Sequence, residues 1–94
     1  MRVVARIKAK PNKVGQVREA LLELIEPTRR EVGCIVYELL QNQDDPTDFT
    51  FVEEWESRAA LDRHAVSEHI KATRDKLKDV VDTPADIRMY DVVA

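Results

Sequence analysis

The hydrophobic and polar residues of the chain repeat with two different periods, which predict an alternation of strands and helices. Residues 2–9 alternate with a period of two, as in a strand with one buried face. From Lys13 to Val32 the apolar residues recur at helical spacing, which predicts the first long helix. Pro27 lies inside this segment, so we expect a kink or a local loosening between Glu23 and Thr28.

The middle of the chain predicts a pair of strands. Gly33 is placed to end the first helix in a left-handed conformation. Residues 34–43 read as a second strand, and the turn sequence DDPTD follows at residues 44–48. Phe49 to Trp55 or Glu56 reads as a third strand, which should run antiparallel to the second because the connection is short.

The last part of the chain predicts a second helical region and a final strand. Ser57 is a suitable N-terminal cap for the helical region. We expect this region to break or bend between Val66 and Glu68, where Ser67 can cap it again. Residues 86–93 then read as the last strand.

This order predicts an α+β protein of the ferredoxin-like βαββαβ type, with a four-stranded antiparallel sheet. The length of 94 residues indicates one domain covering residues 1–94. Both helical regions must then cover the same face of the sheet.

The second face of the sheet is expected to need a partner, because the second and last strands carry apolar residues on both sides. A simple alternation along the second strand places Ile35, Tyr37 and Leu39 on one face and Cys34, Val36 and Leu40 on the other. An antiparallel sheet with one solvated face should instead alternate cleanly. We therefore predict a homodimer through the open sheet face, as a dimeric α+β barrel; the alternative is a monomer with an exposed apolar sheet.

Composition and charge exclude several classes of function. The net charge is −3 and the basic residues are scattered, so we expect no nucleic-acid partner. A single cysteine, Cys34, excludes an internal disulfide framework. The first ten residues are too charged for a signal peptide or a membrane span, so we expect a cytoplasmic protein without a membrane partner. Only two glycines are present, which excludes a glycine-rich phosphate loop.

The candidate chemistry lies between Phe49 and His69. His64 is the first candidate for a catalytic base, because Leu61 three residues earlier places it at the edge of an apolar helix face. His69 is the second catalytic candidate, and only a break in the helix could bring the two rings together. We expect no metal site, because this spacing does not match an i,i+4 zinc pair and no third ligand stands out.

The candidate pocket residues surround these histidines. Phe51, Glu53 and Trp55 share one strand face, and the indole should be largely buried in either a core or a pocket. Glu53 could orient His64 or form an ion pair with Arg6 or Arg74, and the ion pair is the preferred interpretation. Tyr37 could offer a phenolic hydrogen bond to a substrate, or pack in the core or the dimer interface.

The residues that carry a family resemblance are G-C-x-x-Y at 33–37, F-x-E-x-W-x-S at 51–57, A-L-x-x-H at 60–64 and S-x-H at 67–69. With them the chain resembles the antibiotic biosynthesis monooxygenase family, whose members are dimeric α+β barrels, and most of all its small quinol monooxygenase-like members. The resemblance implies oxidation of a small quinol or aromatic substrate by molecular oxygen, without flavin, haem or metal as cofactor.

Elementary chemistry is compatible with that activity. A deprotonated hydroquinone can pass an electron to oxygen by itself, so the protein need only remove a proton, hold the substrate and exclude water. Histidine as a residue type suits the role of base near neutral pH.

Three other functions remain open at this point. A haem-degrading branch of the superfamily uses an asparagine, a tryptophan and a histidine, of which only the tryptophan is present, as Trp55, while Arg74 stands where the histidine is expected. An isomerase of a phosphorylated signalling sugar looks similar around the two histidines, and arginines such as Arg6, Arg63 and Arg74 could bind the phosphate. A non-catalytic dimeric domain that binds a small molecule is the third.

Overall fold

The chain forms four strands and four helices, and the computed structural model describes residues 1–94. The strands are β1 (Arg2–Lys8), β2 (Cys34–Gln41), β3 (Asp48–Trp55) and β4 (Asp86–Tyr90). The helices are α1 (Val14–Leu22), α2 (Ile25–Arg29), α3 (Arg58–Ala65) and α4 (Glu68–Leu77). None of these helices has the length and the apolar character needed to cross a membrane.

The four strands form one antiparallel sheet in the order β2-β3-β1-β4, which confirms the ferredoxin-like α+β fold. The alternation predicted for β1 and β3 is borne out, because the inward-facing residues of both strands are buried under the helices. These residues are Val3, Ala5, Ile7, Phe49, Phe51, Glu53 and Trp55. The single core therefore lies between this sheet face and the helices.

The first helical region is divided into two helices, which corrects the single helix predicted from Lys13 to Val32. The division overlaps the segment from Glu23 to Thr28, where a kink or a local loosening is predicted. Helix α1 ends at Leu22 and α2 begins at Ile25, so the break precedes Pro27. A proline ring clashes with the carbonyl four residues earlier, which would be that of Glu23 in a continuous helix. The amide of Leu24 instead bonds to the carbonyl of Leu21, and the helix restarts with Pro27 in its first turn, where a missing N–H does no harm.

The second helical region breaks where the sequence predicts. The Ser57 side chain accepts a hydrogen bond from the amide of Ala60 at the start of α3. The Ser67 side chain accepts one from the amide of Ile70 at the start of α4. Both serines thus satisfy amides that lack a partner within their own helix, and the second one starts α4 in a new direction.

Strand β2 departs from the predicted alternation at its start. The register shifts between Cys34 and Val36, so that Cys34 pairs with Trp55 and Val36 with Glu54. This irregularity places Cys34 on the helix-covered face together with Tyr37, and leaves Ile35 exposed. Simple alternation placed Ile35, rather than Cys34, on the same face as Tyr37. That assignment is wrong.

Strand β4 is shorter than predicted, because it ends at Tyr90 rather than at residue 93. Its pairing with β1 places Ile87 and Met89 on the helix-covered side, although both remain exposed. The open face of the sheet carries a mixture of apolar and charged residues. Its cross-strand rows read Tyr90, Arg2, Glu54, Val36; then Arg88, Val4, Val52, Glu38; then Asp86, Arg6, Thr50, Leu40. The homodimer through this face stays a prediction.

Candidate functional site

A cavity of about 500 Å³ lies between the helix-covered face of the sheet and helices α3 and α4. Fifteen of its 24 lining residues are hydrophobic. Ile87 and Met89 of β4 line it, which explains why two inward-facing side chains of the sheet are exposed. The volume and the apolar walls are typical of a site for a small organic molecule.

His64 is the histidine that lines this cavity. Helix α3 begins at Arg58 after its Ser57 cap, so Ala60, Leu61 and His64 share the buried face of the helix. The imidazole ring lies 4.8 Å from the Trp55 ring and 5.6 Å from the Tyr37 ring, measured between centroids. Only 6% of His64 is exposed, so its orientation is fixed by packing on both sides.

Glu31 lies within hydrogen-bond distance of both histidines. Its Oε2 atom lies 2.6 Å from Nδ1 of His64 and 2.8 Å from Nε2 of His69. The Glu31 side chain is 16% exposed, so this carboxylate is shielded from water as well. The three side chains bring one ligand atom each to within 4.8 Å of one another, a spacing that could hold a metal ion.

The contact with Glu31 decides which nitrogen of His64 faces the cavity. A carboxylate oxygen accepts hydrogen bonds, so Nδ1 must carry a proton and donate a hydrogen bond to Glu31. Nε2 of His64 has no hydrogen-bond partner. The only fully buried side-chain polar atom without a partner is the hydroxyl oxygen of Thr28, so Nε2 is not fully buried. Nε2 is therefore accessible on a residue that lines the cavity, and in the neutral ring with its proton on Nδ1 it can accept a proton, as a general base must.

His69 joins the cluster because the helical region breaks after Val66. An unbroken helix would point the two rings in different directions, but α4 starts anew at Glu68. The centroids of the His64 and His69 rings are 6.0 Å apart, and Nε2 of His69 lies 3.2 Å from the hydroxyl of Ser67. His69 does not line the cavity, so it acts on the site only through Glu31.

Glu53 and Trp55 bind one another rather than an arginine. The indole Nε1 of Trp55 donates a 2.8 Å hydrogen bond to Oε1 of Glu53, two residues earlier on the same strand face. Arg6 pairs with Asp48 on the open sheet face, so the ion pair predicted between Glu53 and Arg6 or Arg74 is absent. Burial raises the pKa of Glu53 above its ordinary value, and the hydrogen bond from the indole opposes this shift.

Trp55 has no exposed surface and does not line the cavity, which corrects its placement among the pocket residues. It lies beneath His64 and supports that ring from the core. Glu53 does line the cavity, although it is only 4% exposed.

Tyr37 and Phe51 form an aromatic wall of the cavity. Their rings stack with centroids 4.7 Å apart and an interplanar angle of 24°. Burial raises the pKa of the Tyr37 phenol far above its ordinary value, and the nearby Glu53 carboxylate raises it further. The neighbouring Thr28 side chain opposes this rise, and the hydroxyl stays protonated.

Arg74 of α4 also lines the cavity, and its side chain is exposed. It makes no ion pair, and Arg58 and Lys78 line the same cavity. Arg58 is paired with Asp62 at 3.0 Å. The cavity therefore has apolar and aromatic walls with cationic groups near the solvent.

Glu31 is the site residue that sequence reasoning missed. The helical period assigns it to the first helix, whereas it follows the end of α2 and lies 33 residues before His64. No local pattern marks a carboxylate that acts across such a separation. The two histidines therefore do have a third possible ligand, contrary to the expectation from the sequence, because Glu31 supplies the corresponding atom.

Comparison with known proteins gives consistent results. The family model described as "Antibiotic biosynthesis monooxygenase" matches residues 1–76. The chain is 34% identical over 90 residues to the uncharacterised protein sll1783 of Synechocystis, with 96% of this chain aligned, and it spans only 61% of that relative's length. Rv0793 of Mycobacterium tuberculosis, named as a candidate monooxygenase, is 32% identical over 85 residues, which are 90% of this chain and 83% of that protein.

Solved structures show the same similarity at the level of the fold. A crystal structure of an antibiotic biosynthesis monooxygenase has a TM-score of 0.92 at 34% identity, and covers 99% of this chain and 98% of its own. The structure of Rv0793 has a TM-score of 0.86 at 29% identity, and the alignment covers 99% of this chain and 97% of the Rv0793 chain. The similarity thus extends over the whole sheet and all of the helices.

Proposed function

Since this chain belongs to the antibiotic biosynthesis monooxygenase family, we propose that it is a cofactor-independent monooxygenase acting on a small quinol or a related aromatic substrate with molecular oxygen. Family membership and the candidate monooxygenase among its relatives support a monooxygenase-like function. The observation that carries the finer proposal is the geometry of His64, whose Nδ1 contacts Glu31 while Nε2 has no partner and the residue lines an apolar cavity.

His64 would act as the general base. A hydroxyl proton of the bound hydroquinone passes to Nε2, and the resulting imidazolium is stabilised by the Glu31 carboxylate at Nδ1. Because the carboxylate accepts from Nδ1 both before and after the transfer, the ring keeps its orientation.

The remaining side chains would bind and orient the substrate. Phe51 and Tyr37 offer ring faces for the aromatic substrate, and the protonated hydroxyl of Tyr37 can donate to a substrate oxygen. The apolar walls keep water away from the deprotonated quinol. His69 and Trp55 are positioning residues, since they contact the Glu31–His64 pair and do not line the cavity.

The redox chemistry balances without a further reductant. The deprotonated quinol gives an electron to molecular oxygen, and the two radicals combine to form a carbon–oxygen bond at the ring. Cleavage of the oxygen–oxygen bond leaves one oxygen atom on the product and releases the other as water, with the protons supplied by the substrate. The hydroquinone becomes a hydroxyquinone and provides all the electrons that reduce oxygen.

Oxygen uptake tests this proposal. Purified, chelator-treated protein should consume oxygen with a panel of hydroquinones and polyphenols faster than a protein-free blank. His64→Ala should lower kcat by about 10²–10⁴-fold, which is the usual contribution of a positioned base. Arg63→Ala is the matched control, because Arg63 is the exposed neighbour of His64 on α3 and does not line the cavity. Equal rates in His64→Ala and the wild type would refute the role of the base.

A second candidate, isomerisation of a phosphorylated sugar, is favoured by Arg58, Arg74 and Lys78 on the cavity wall. These groups could hold a phosphate, while His64 could move a proton between adjacent carbons. Turnover without oxygen would identify this activity. Binding of small aromatic molecules without any turnover would indicate the non-catalytic domain instead.

A further inference from the structure

Glu31, His64 and His69 form a cluster whose geometry goes beyond what a general base requires. A base needs one carboxylate to orient it, whereas here the same oxygen also binds a second histidine. The donor atoms come from three separate parts of the chain: the loop after α2, the buried face of α3 and the start of α4. The three side chains are 16%, 7% and 23% exposed, so the cluster is shielded but can be reached from the His69 side.

The chemistry of this cluster fits a cation. Two imidazole nitrogens and one carboxylate oxygen are a common ligand set for zinc and other divalent transition metals, with a fourth position left open. Glu31 has no lysine or arginine partner, since both of its ion-pair contacts are histidines. When the histidines are neutral, the carboxylate charge is unbalanced, and a divalent ion would neutralise it.

The distances require only a small adjustment. Ligands of a tetrahedral zinc ion with bonds of about 2.0–2.1 Å lie roughly 3.3 Å apart. The oxygen–nitrogen distances of 2.6 and 2.8 Å are those of hydrogen bonds, so each contact must open by less than about 1 Å. A change of side-chain rotamer at the partly exposed His69 and Glu31 can provide this.

We propose that Glu31, His64 and His69 bind a divalent transition-metal ion such as Zn²⁺, and that the bound ion inhibits the enzyme by reversing the tautomer of His64. An ion on Nδ1 displaces the proton from that atom to Nε2. The nitrogen that faces the cavity then donates a hydrogen bond and no longer accepts a proton. The inhibition rests on the proposed function, whereas the metal site does not.

The rest of the chain offers little competition for such an ion. His64 and His69 are its only histidines, and Cys34 is its only cysteine. Glu31, His64 and His69 are also the only group of three or more ligand-type residues whose donor atoms converge. Saturable binding of one ion per chain can therefore be assigned to this cluster.

Calorimetric titration of Zn²⁺ into chelator-treated protein tests the site. We expect one ion per chain. Glu31→Gln should weaken the affinity for Zn²⁺ by at least about 100-fold, because the loss of a direct ligand should exceed the roughly 10–100-fold effect of losing a residue that only contacts a ligand. Glu26→Gln is the matched control, because Glu26 is an exposed carboxylate on α2 that should not affect the ion. If Glu31→Gln does not fold, His69→Ala replaces it. Absence of saturable binding, or wild-type affinity in the variant, would overturn the proposal.

The tautomer of His64 can be observed directly. Nitrogen-15 NMR of the two histidines should show the His64 proton on Nδ1 in the metal-free protein and on Nε2 after one equivalent of Zn²⁺. An unchanged tautomer at saturation would overturn the inhibition. Oxygen uptake that is lost on adding Zn²⁺ and restored by a chelator would support it. Saturable zinc binding by a protein that never consumes oxygen would leave the site established and refute the proposed oxygenase.

Discussion

Nδ1 of His64 lies 2.6 Å from Oε2 of Glu31, although 33 residues separate them in the chain. In the neutral imidazole this contact favours the proton on Nδ1, and it leaves Nε2 without a hydrogen-bond partner. It also connects His64 to His69, which shares the same carboxylate oxygen. Much of the proposed chemistry thus depends on a residue in the loop between α2 and β2.

Glu31→Gln should lower kcat of quinol oxidation by about 10- to 100-fold, part of the 10²–10⁴-fold that a positioned base contributes. The amide loses the charge that stabilises the imidazolium, and it can also favour the wrong tautomer. KM should change little, because Glu31 does not line the cavity. Glu31→Asp should recover part of the rate. A KM effect without a kcat effect would contradict the positioning role.

Glu53→Gln should stabilise the protein at pH 8 and have little effect at pH 4. Burial raises the pKa of Glu53, so folding favours its protonated form, and its contribution to stability is lost as the pH rises through the folded-state value. Glutamine keeps an acceptor for the Trp55 indole without a buried charge. Urea unfolding at both pH values measures the difference. An effect of equal size at pH 4 and pH 8 would show that charge is not the cause.

Gly33→Ala and Gly15→Ala should have opposite effects on the free energy of unfolding. Gly33 has a φ of +91°, and a Cβ there would lie 2.5 Å from the Cβ of Ala60 on α3. We expect a loss of about 1–3 kcal/mol from the backbone alone, with additional displacement of α3. Gly15 lies in α1, where a Cβ would meet no atom within 4 Å, so alanine should add about 0.5–1 kcal/mol. Denaturant unfolding compares both with the wild type, and a neutral Gly33→Ala would contradict the tight approach to α3.

Trp55→Ala should destabilise the protein by about 3–5 kcal/mol, because the indole is fully buried. Trp55→Phe should have a smaller effect of about 1–3 kcal/mol, since it fills most of the volume but leaves Oε1 of Glu53 without its donor. Trp55 is the only tryptophan, so unfolding must be followed by circular dichroism. A small loss for Trp55→Ala would contradict its place in the core.

Light scattering should give a mass near twice that of the 10.8 kDa chain. The open sheet face carries Val4, Val36, Val52 and the half-exposed Leu40, which a second copy could cover. Leu40→Lys should shift the protein toward the monomer by placing a charge in that interface. Val66→Lys, on an exposed position between α3 and α4, is the control. A wild-type protein that stays monomeric at micromolar concentration would contradict the homodimer.

Features that depend on neighbouring residues were predictable from the sequence. The order of the elements, the caps at Ser57 and Ser67, the left-handed Gly33 and the buried faces of β1 and β3 all follow from local propensity and period. The motifs around Trp55 and His64 were sufficient to suggest the family. Each of these features arises within a few residues, where chain connectivity already fixes the geometry.

Features that depend on contacts between distant segments required the tertiary structure. The shifted register that reverses Cys34 and Ile35 is set by pairing with β3. Glu31 reaches the histidines only because the first helical region ends early and α4 starts in a new direction. Trp55 lies under His64 rather than in the cavity because α3 packs over it. Side-chain placement of this kind is the outcome of packing the whole core, which no local pattern of residues encodes.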